Sequence, residues 1–180
     1  ALRDQYVVVM AHLDHEGISP DETRPDRIYN GAMDNSAGTS AMLEVARAMA
    51  TAPTRPRRSI IFLAVTGEEK GLLGSEFFAN NPTVPTEGLV AVVNMDMPVL
   101  TYAFTDIVVL GSDHSTLGQT YHKPNDDLSQ PIDWNAAARF AQVSAGVVRA
   151  VADQDQRPLW YAGDEFGDRF APEAEKAPKP

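Results

Sequence analysis

The sequence contains no cysteine, so it can form neither a disulfide bond nor a thiolate metal site. Any zinc ion would have to be held by histidine, aspartate or glutamate, a donor set typical of catalytic zinc sites. Basic charge is also scarce, with 15 lysines and arginines against 25 aspartates and glutamates and a net charge of -10. Such a chain repels phosphate backbones, and we therefore predict no nucleic-acid partner.

Long apolar runs are absent as well. The longest, such as Tyr6–Ala11 and Ile60–Val65, are far shorter than the roughly 20 residues of a membrane-spanning helix, and we predict no membrane span. The chain begins at Ala1 without the basic and then apolar pattern of a signal peptide, which indicates a processed or excised segment. Its 180 residues suit a single globular domain. We place that domain at residues 1–166 and a disordered tail, rich in charge and proline, at 167–180.

Three short apolar runs rich in β-branched residues predict buried strands at Tyr6–Ala11, Ser59–Val65 and Leu89–Met95. A fourth strand is predicted at Asp106–Leu110, before a loop that ends at Leu128. Strands and helices alternate along the chain, which predicts an α/β fold with a mostly parallel sheet.

Helical periodicity predicts an amphipathic helix at Asn35–Ala50, a short helix ending near Asn80, and a long helix at Trp134–Ala152. In the long helix, the apolar residues at helical spacing are Phe140, Val143, Val147 and Val151. We expect this face to pack on the sheet, and Trp134 to anchor the start of the helix in the core.

Polar side chains follow the three strands at their carboxyl ends. His12 ends the first strand, Glu68 and Glu69 follow the second, and Asp96 follows the third. In a parallel sheet these ends converge on one crevice, where ligands bind. Carboxylates gathered there would repel one another unless cations compensate them, and oxygen together with imidazole ligands favours zinc or a similar first-row ion. The residues alone therefore predict a metal site.

Five segments of the chain resemble the motifs of the dizinc aminopeptidase family, which includes the bacterial leucyl aminopeptidases, aminopeptidase Y and the glutamate carboxypeptidases. They are Ala11-His-Leu-Asp14, Asn30-Gly-Ala-Met-Asp-Asn-Ser-Ala-Gly38, Gly67-Glu-Glu-Lys-Gly-Leu-Leu-Gly-Ser75, Asn94-Met-Asp-Met97 and Tyr121-His-Lys-Pro-Asn-Asp-Asp127. The resemblance extends from about Tyr6 to Phe166. It implies a shortened three-layer α/β/α sandwich, two Zn²⁺ ions, a peptide substrate and a secreted or periplasmic location. The implied activity is the removal of N-terminal residues from peptides.

Carried over residue by residue, the resemblance makes Asp34 the carboxylate that bridges two zinc ions. His12 and Asp96 complete one site, and Glu69 and His122 complete the other.

Two further residues receive roles from the same resemblance. Asp14 is expected to be the carboxylate that orients the His12 imidazole, since a ligating histidine needs its second nitrogen held. Glu68 is expected to be the general base, which takes a proton from water and delivers it to the leaving amine.

The connection between two of these ligands departs from the family. Only 25 residues separate Asp96 from His122 (97–121), where the resemblance leads us to expect a longer segment with a further helix and a core strand. Two alternatives to an active aminopeptidase stay open, and the missing segment motivates the first of them. One is a catalytically impaired remnant that binds zinc or a partner surface, and the other is a mononuclear zinc enzyme resembling glutaminyl cyclases.

Two other histidines are weaker candidates for a functional role. The string Asp113-His114-Ser115 suggests a catalytic triad, but no nucleophile elbow accompanies it, which favours a polar loop. His15 is expected to face solvent.

Overall fold

The structure is a computed structural model that describes residues 2–98 and 120–179. Its sheet consists of β1 (Leu2–His12), β2 (Arg58–Val65) and β3 (Leu89–Asn94). The strand order is β2-β1-β3 and both pairings are parallel, so β1 lies in the centre. Val7, Val8 and Val9 in β1 are at most 1% exposed, as expected for a central strand covered on both faces. The three predicted strands are confirmed.

The helices are α1 (Gly38–Thr51), α2 (Leu73–Asn80), α3 (Trp134–Asp153) and α4 (Glu165–Phe170), with short helical turns at Ala32–Ala37 and Thr86–Gly88. Helices α1 and α3 share one core with the sheet, in which Val45 and Val148 lie against Val9 and Ala11 of the central strand. The predicted α/β fold with a parallel sheet is confirmed.

Helix α3 is rotated relative to the prediction: Phe140 packs against the core as predicted, but Val143 and Val147 do not define the buried face. Val143 and Val147 are 53% and 47% exposed. Trp134 is 68% exposed, so its predicted anchoring role is wrong. The first turn is held instead by Asp133, whose carboxylate accepts hydrogen bonds from two N–H groups of that turn. The buried residues of α3 are Ala136, Ser144, Val148 and Ala152. Mostly small side chains at these positions let α3 approach α1 closely, which decides the orientation.

The C-terminal segment contacts the rest of the chain. The backbone of Ala177 accepts from Ala162 N–H and donates to Trp160 O, both at 2.8 Å, and the Lys176 ammonium donates to Gly167 O at 2.9 Å. The disordered tail predicted at residues 167–180 stays a prediction. The predicted strand at 106–110 and the string at 113–115 lie outside the described residues. Among the described residues, no helix is long and apolar enough to cross a membrane.

Candidate metal centre

His12 and Asp96 face each other at the carboxyl ends of neighbouring strands. The His12 side chain is 3% exposed, and its Nε2 lies 3.2 Å from Asp96 Oδ1. The His12 Nδ1–H donates to the backbone oxygen of Asp14 at 3.0 Å. This bond fixes the tautomer and leaves the Nε2 lone pair directed at the carboxylates. The backbone oxygen of Asp14 is thus the nearer partner of Nδ1, with Asp14 Oδ1 3.6 Å away, and the orienting role of the Asp14 carboxylate stays a prediction.

The Asp14 carboxylate also holds the turn that follows β2. Its two oxygens accept hydrogen bonds from the backbone N–H groups of Glu68 and Glu69, each at 3.2 Å. The loop after the central strand is thereby tied to the loop after its neighbour. Both glutamate side chains are placed at the same crevice as His12.

Asp34 lies between two imidazoles. It is 3% exposed and belongs to the helical turn before α1. Its Oδ1 is 3.1 Å from His12 Nε2, and its Oδ2 is 3.4 Å from His122 Nε2. Each oxygen of one carboxylate therefore faces a different histidine.

His122 completes the second half of the cluster. Its Nε2 lies 2.9 Å from Glu69 Oε2, and its ring stacks on Tyr121 with centroids 3.9 Å apart. Its backbone φ of 53° is unusual for a residue other than glycine. The structure brings all five predicted ligands together, although only 25 residues separate Asp96 from His122.

Asp126 holds the His122 segment against the Asp34 turn, a role that the sequence analysis missed. It is 1% exposed, and its carboxylate accepts from Met33 N–H at 2.9 Å and from Asp34 N–H at 3.0 Å. Its own backbone oxygen accepts from Ala32 N–H at 3.0 Å. The only signal in the sequence is the position of Asp126 within the motif that contains His122.

Asn35 forms a second support, which the sequence analysis also missed. Its amide donates to Met95 O at 2.9 Å, and its Oδ1 accepts from the N–H groups of Gly38 and Met97, each at 3.1 Å. The start of α1 is thereby joined to the residues on either side of Asp96. A Cβ at Gly38 would lie 2.2 Å from Asn35 Oδ1 and 2.3 Å from Met95 O, so this contact requires glycine.

Without a bound cation, burial and the closeness of several carboxylates shift the pKa values of residues in the cluster. Burial, and next the neighbouring Glu69 carboxylate, raise the pKa of Asp34 to about 6. Burial lowers the pKa of His12, but the carboxylates of Asp96 and Asp34 outweigh this effect and raise it. Burial also raises the pKa of Glu68, with Asp96 and Glu69 adding to the effect.

The cluster fits zinc. Two ligands bound to one tetrahedral zinc ion at about 2.0–2.1 Å lie about 3.3 Å from each other. The four contacts of His12 and His122 with their carboxylates span 2.9 to 3.4 Å, close to that spacing. Among the described residues, the buried side-chain atoms without a hydrogen-bond partner are Nε2 of His15 and Nε2 of His122. The His122 Nε2 atom lies between the carboxylate oxygens of Glu69 and Asp34, at 2.9 and 3.4 Å, a position that suits a nitrogen sharing a cation with them.

Comparison with known proteins identifies the family of this chain. The sequence model of peptidase family M28 matches residues 1–100, more than half of the chain. The chain belongs to peptidase family M28. Four of the five clustered residues lie within the matched range, and His122 lies beyond it.

The relatives of this M28 chain are longer proteins. It is 34% identical over 94 residues to a probable zinc metalloprotease of Pyrenophora tritici-repentis, an alignment that covers 52% of this chain and 21% of that protein. It is 39% identical over 102 residues to aminopeptidase NAALADL1 of Mus musculus, covering 48% of this chain and 14% of the relative. It is 40% identical over 75 residues to aminopeptidase YwaD of Bacillus subtilis, covering 42% and 14%.

A solved structure shares the fold. The peptidase M28 precursor of Shewanella amazonensis SB2B superposes with a TM-score of 0.56 at 21% identity, over 88% of this chain and 44% of that one. The M28 chain described here thus spans less than half of that structure, and about a fifth or less of the three relatives above.

One histidine of this M28 chain does not lie where the sequence predicts. The side chain of His15 is 7% exposed, and its Nδ1 lies 2.6 Å from Glu69 Oε1, so the prediction that it faces solvent is wrong. The rings of Tyr29 and His122 meet it edge to face, with centroids 6.1 and 5.6 Å away. A loop position gives no warning of this burial, because both neighbouring rings come from other parts of the chain.

Proposed function

We propose that this chain is a zinc-dependent exopeptidase, an aminopeptidase that hydrolyses N-terminal residues from peptides with two zinc ions. The observation that carries the proposal is the position of Asp34, with one carboxylate oxygen 3.1 Å from His12 Nε2 and the other 3.4 Å from His122 Nε2. This arrangement suits a carboxylate shared by two ions. His12 and Asp96 would hold one ion, and Glu69 and His122 the other.

The zinc ions would supply Lewis-acid polarisation of the scissile carbonyl and a lowered pKa for the attacking water. A residue of the chain carries out the proton transfer. Glu68 accepts the proton from the attacking water and delivers it to the leaving amine. Its raised pKa suits the first half of that task, because a carboxylate of higher pKa is a stronger base towards the attacking water.

Family membership and the names of the relatives support a zinc peptidase. Aminopeptidase action by this chain is the finer part of the proposal. A mononuclear zinc enzyme is less well supported, because the two carboxylate oxygens of Asp34 face different imidazoles, Oδ1 that of His12 and Oδ2 that of His122. Among the described residues, three groups in this cluster could hold an ion: His12, Asp34 and Asp96; His15, Asp34 and Glu69; and Glu16, Glu69 and His122.

Two measurements on the same preparation test the proposal: zinc content by mass spectrometry, and hydrolysis of a leucine chromogenic substrate. Two bound ions with turnover support it. Two ions without turnover identify an impaired remnant of the family, and one ion identifies a mononuclear enzyme. Either of these results overturns the proposed function.

A further inference from the structure

The carboxylate of Glu69 lies between two imidazoles, only one of which the proposed function uses. Its Oε2 is 2.9 Å from His122 Nε2, and its Oε1 is 2.6 Å from His15 Nδ1. The side chains of Glu69 and His15 are 3% and 7% exposed, so water does not compete for either contact. His15 is therefore a buried polar group beside a proposed ligand, without an assigned role.

The distances separate a ligand from a supporting residue. Two donors on one zinc ion lie about 3.3 Å apart, whereas 2.6 Å is the length of a short charge-assisted hydrogen bond. His15 Nδ1 is also 4.0 Å from Asp34 Oδ2, the other carboxylate oxygen on this side, compared with 3.4 Å for His122 Nε2. On both contacts His122 is nearer to that ligand spacing than His15 is, although His15, Asp34 and Glu69 also lie close enough together to hold an ion.

We propose that His15 is a positioning residue for the second zinc site, a role that rests on the proposed function. Its Nδ1–H donates to Oε1 of Glu69 and leaves Oε2 directed towards His122. With one oxygen engaged, Glu69 offers a single oxygen to the ion and its carboxylate no longer rotates freely. The second site is then ordered before the ion arrives.

The surroundings of His15 fit this role. The ring lies between Tyr29 and His122, which restrict its rotation. Gly31 lies beneath it with a φ of +65°, and a Cβ there would stand 3.0 Å from His15 Cγ and 2.4 Å from Asp34 O. The turn that places Asp34 therefore also leaves the space in which His15 sits.

The test compares the whole chain with three variants, His15→Ala, His15→Asn and His122→Ala. Zinc affinity is measured by competition with a chromogenic chelator, and cobalt coordination by visible absorption at saturating Co²⁺. We expect His15→Ala to bind two ions, with the dissociation constant of the second ion raised about 10- to 100-fold. His15→Asn should recover most of that loss, because its amide N–H can occupy the place of Nδ1–H. Cobalt spectra of both His15 variants should match the wild type, whereas that of His122→Ala should differ.

Three results would overturn this inference alone. The first is a zinc affinity of His15→Ala equal to that of the wild type. The second is a cobalt spectrum of His15→Ala that is altered as in His122→Ala, which would make His15 a ligand. The third is a zinc affinity of His15→Asn as low as that of His15→Ala, when circular dichroism shows that His15→Asn is folded. A wild-type chain that binds no second ion overturns the proposed function and this inference together. That failure is visible before any variant is made.

Discussion

The carboxylate of Asp126 accepts a hydrogen bond from the backbone N–H of Asp34 over 3.0 Å, while its second oxygen accepts from Met33 N–H over 2.9 Å. The side chains of Asp34 and His122 meet in the metal centre, so this contact joins the segments that carry two of its proposed ligands. Asp126 is 1% exposed, and water cannot replace it.

Replacing Asp126 by asparagine should weaken both the fold and the second metal site. The amide keeps one acceptor oxygen and puts an N–H₂ group against a backbone N–H, so one buried donor loses its partner at a cost of about 1–3 kcal/mol. Urea denaturation in EDTA measures the stability, and zinc titration measures the site. The matched control is Asp127→Asn, whose carboxylate accepts from Ser129 N–H in an exposed turn. Equal effects of the two variants would contradict the role of Asp126.

Replacing Gly38 by alanine should disturb the first metal site. The new Cβ would stand 2.2 Å from Asn35 Oδ1 and 2.3 Å from Met95 O, which must separate to admit it. Because Met95 precedes Asp96, we expect a lower free energy of unfolding and weaker zinc binding. The control is Gly146→Ala in α3. Among the described residues, no atom beyond its chain neighbours and the backbone of the helix itself lies within 4 Å of the new Cβ, and helix propensity predicts a gain of about 0.5–1 kcal/mol. Thermal melts of both variants decide the matter, and a stabilised Gly38→Ala would refute the close contact.

The adjacent glutamates should respond in opposite ways to the same substitution. Glu68→Gln removes the proposed proton carrier and should lower turnover about 10²- to 10⁴-fold while both zinc ions remain bound. Glu69→Gln removes a proposed ligand and should reduce the zinc content. Metal analysis and leucine chromogenic hydrolysis of each variant separate the two roles. Loss of zinc from Glu68→Gln would contradict its assignment as the base.

Lowering the pH should increase the contribution of Asp34 and His12 to the folding stability of the metal-free chain. The pKa of Asp34 is raised from 3.8 to about 6, and that of His12 is raised from 6.5, so the folded state binds these protons more tightly than the unfolded state does. The contribution of Asp34 to stability therefore falls as the pH rises from about 4 to about 6, and that of His12 is lost at higher pH. Thermal melts in EDTA across this range should show a flatter pH dependence for Asp34→Asn. Parallel curves for variant and wild type would contradict the shift.

The strands and the positions that follow them are predictable from the sequence because their signals are local. A run such as Val7–Val9 is apolar on both faces, which defines a central parallel strand without reference to any other element. Its carboxyl end then places His12 at the crevice. The same reasoning recovers Glu69 and Asp96.

The residues that hold the ligands in place could not be predicted in this way, because each of them joins distant parts of the chain. Asn35 donates to an oxygen 60 residues away, and Asp126 accepts from an N–H 92 residues away. The burial of His15 likewise depends on Glu69, 54 residues further along. The face of α3 depends on how closely the helix approaches α1, which the spacing of its own valines does not report.

Asp126 accepts hydrogen bonds from three successive backbone N–H groups, those of Ala32, Met33 and Asp34, and so fixes the segment after His122 directly on the turn that carries Asp34. Lengthening a flexible loop costs little conformational entropy, about 0.6 kcal/mol for each doubling. We therefore expect a flexible insert between Asp96 and His122 to leave these three hydrogen bonds in place. The connection is then a site at which the chain can be lengthened by engineering.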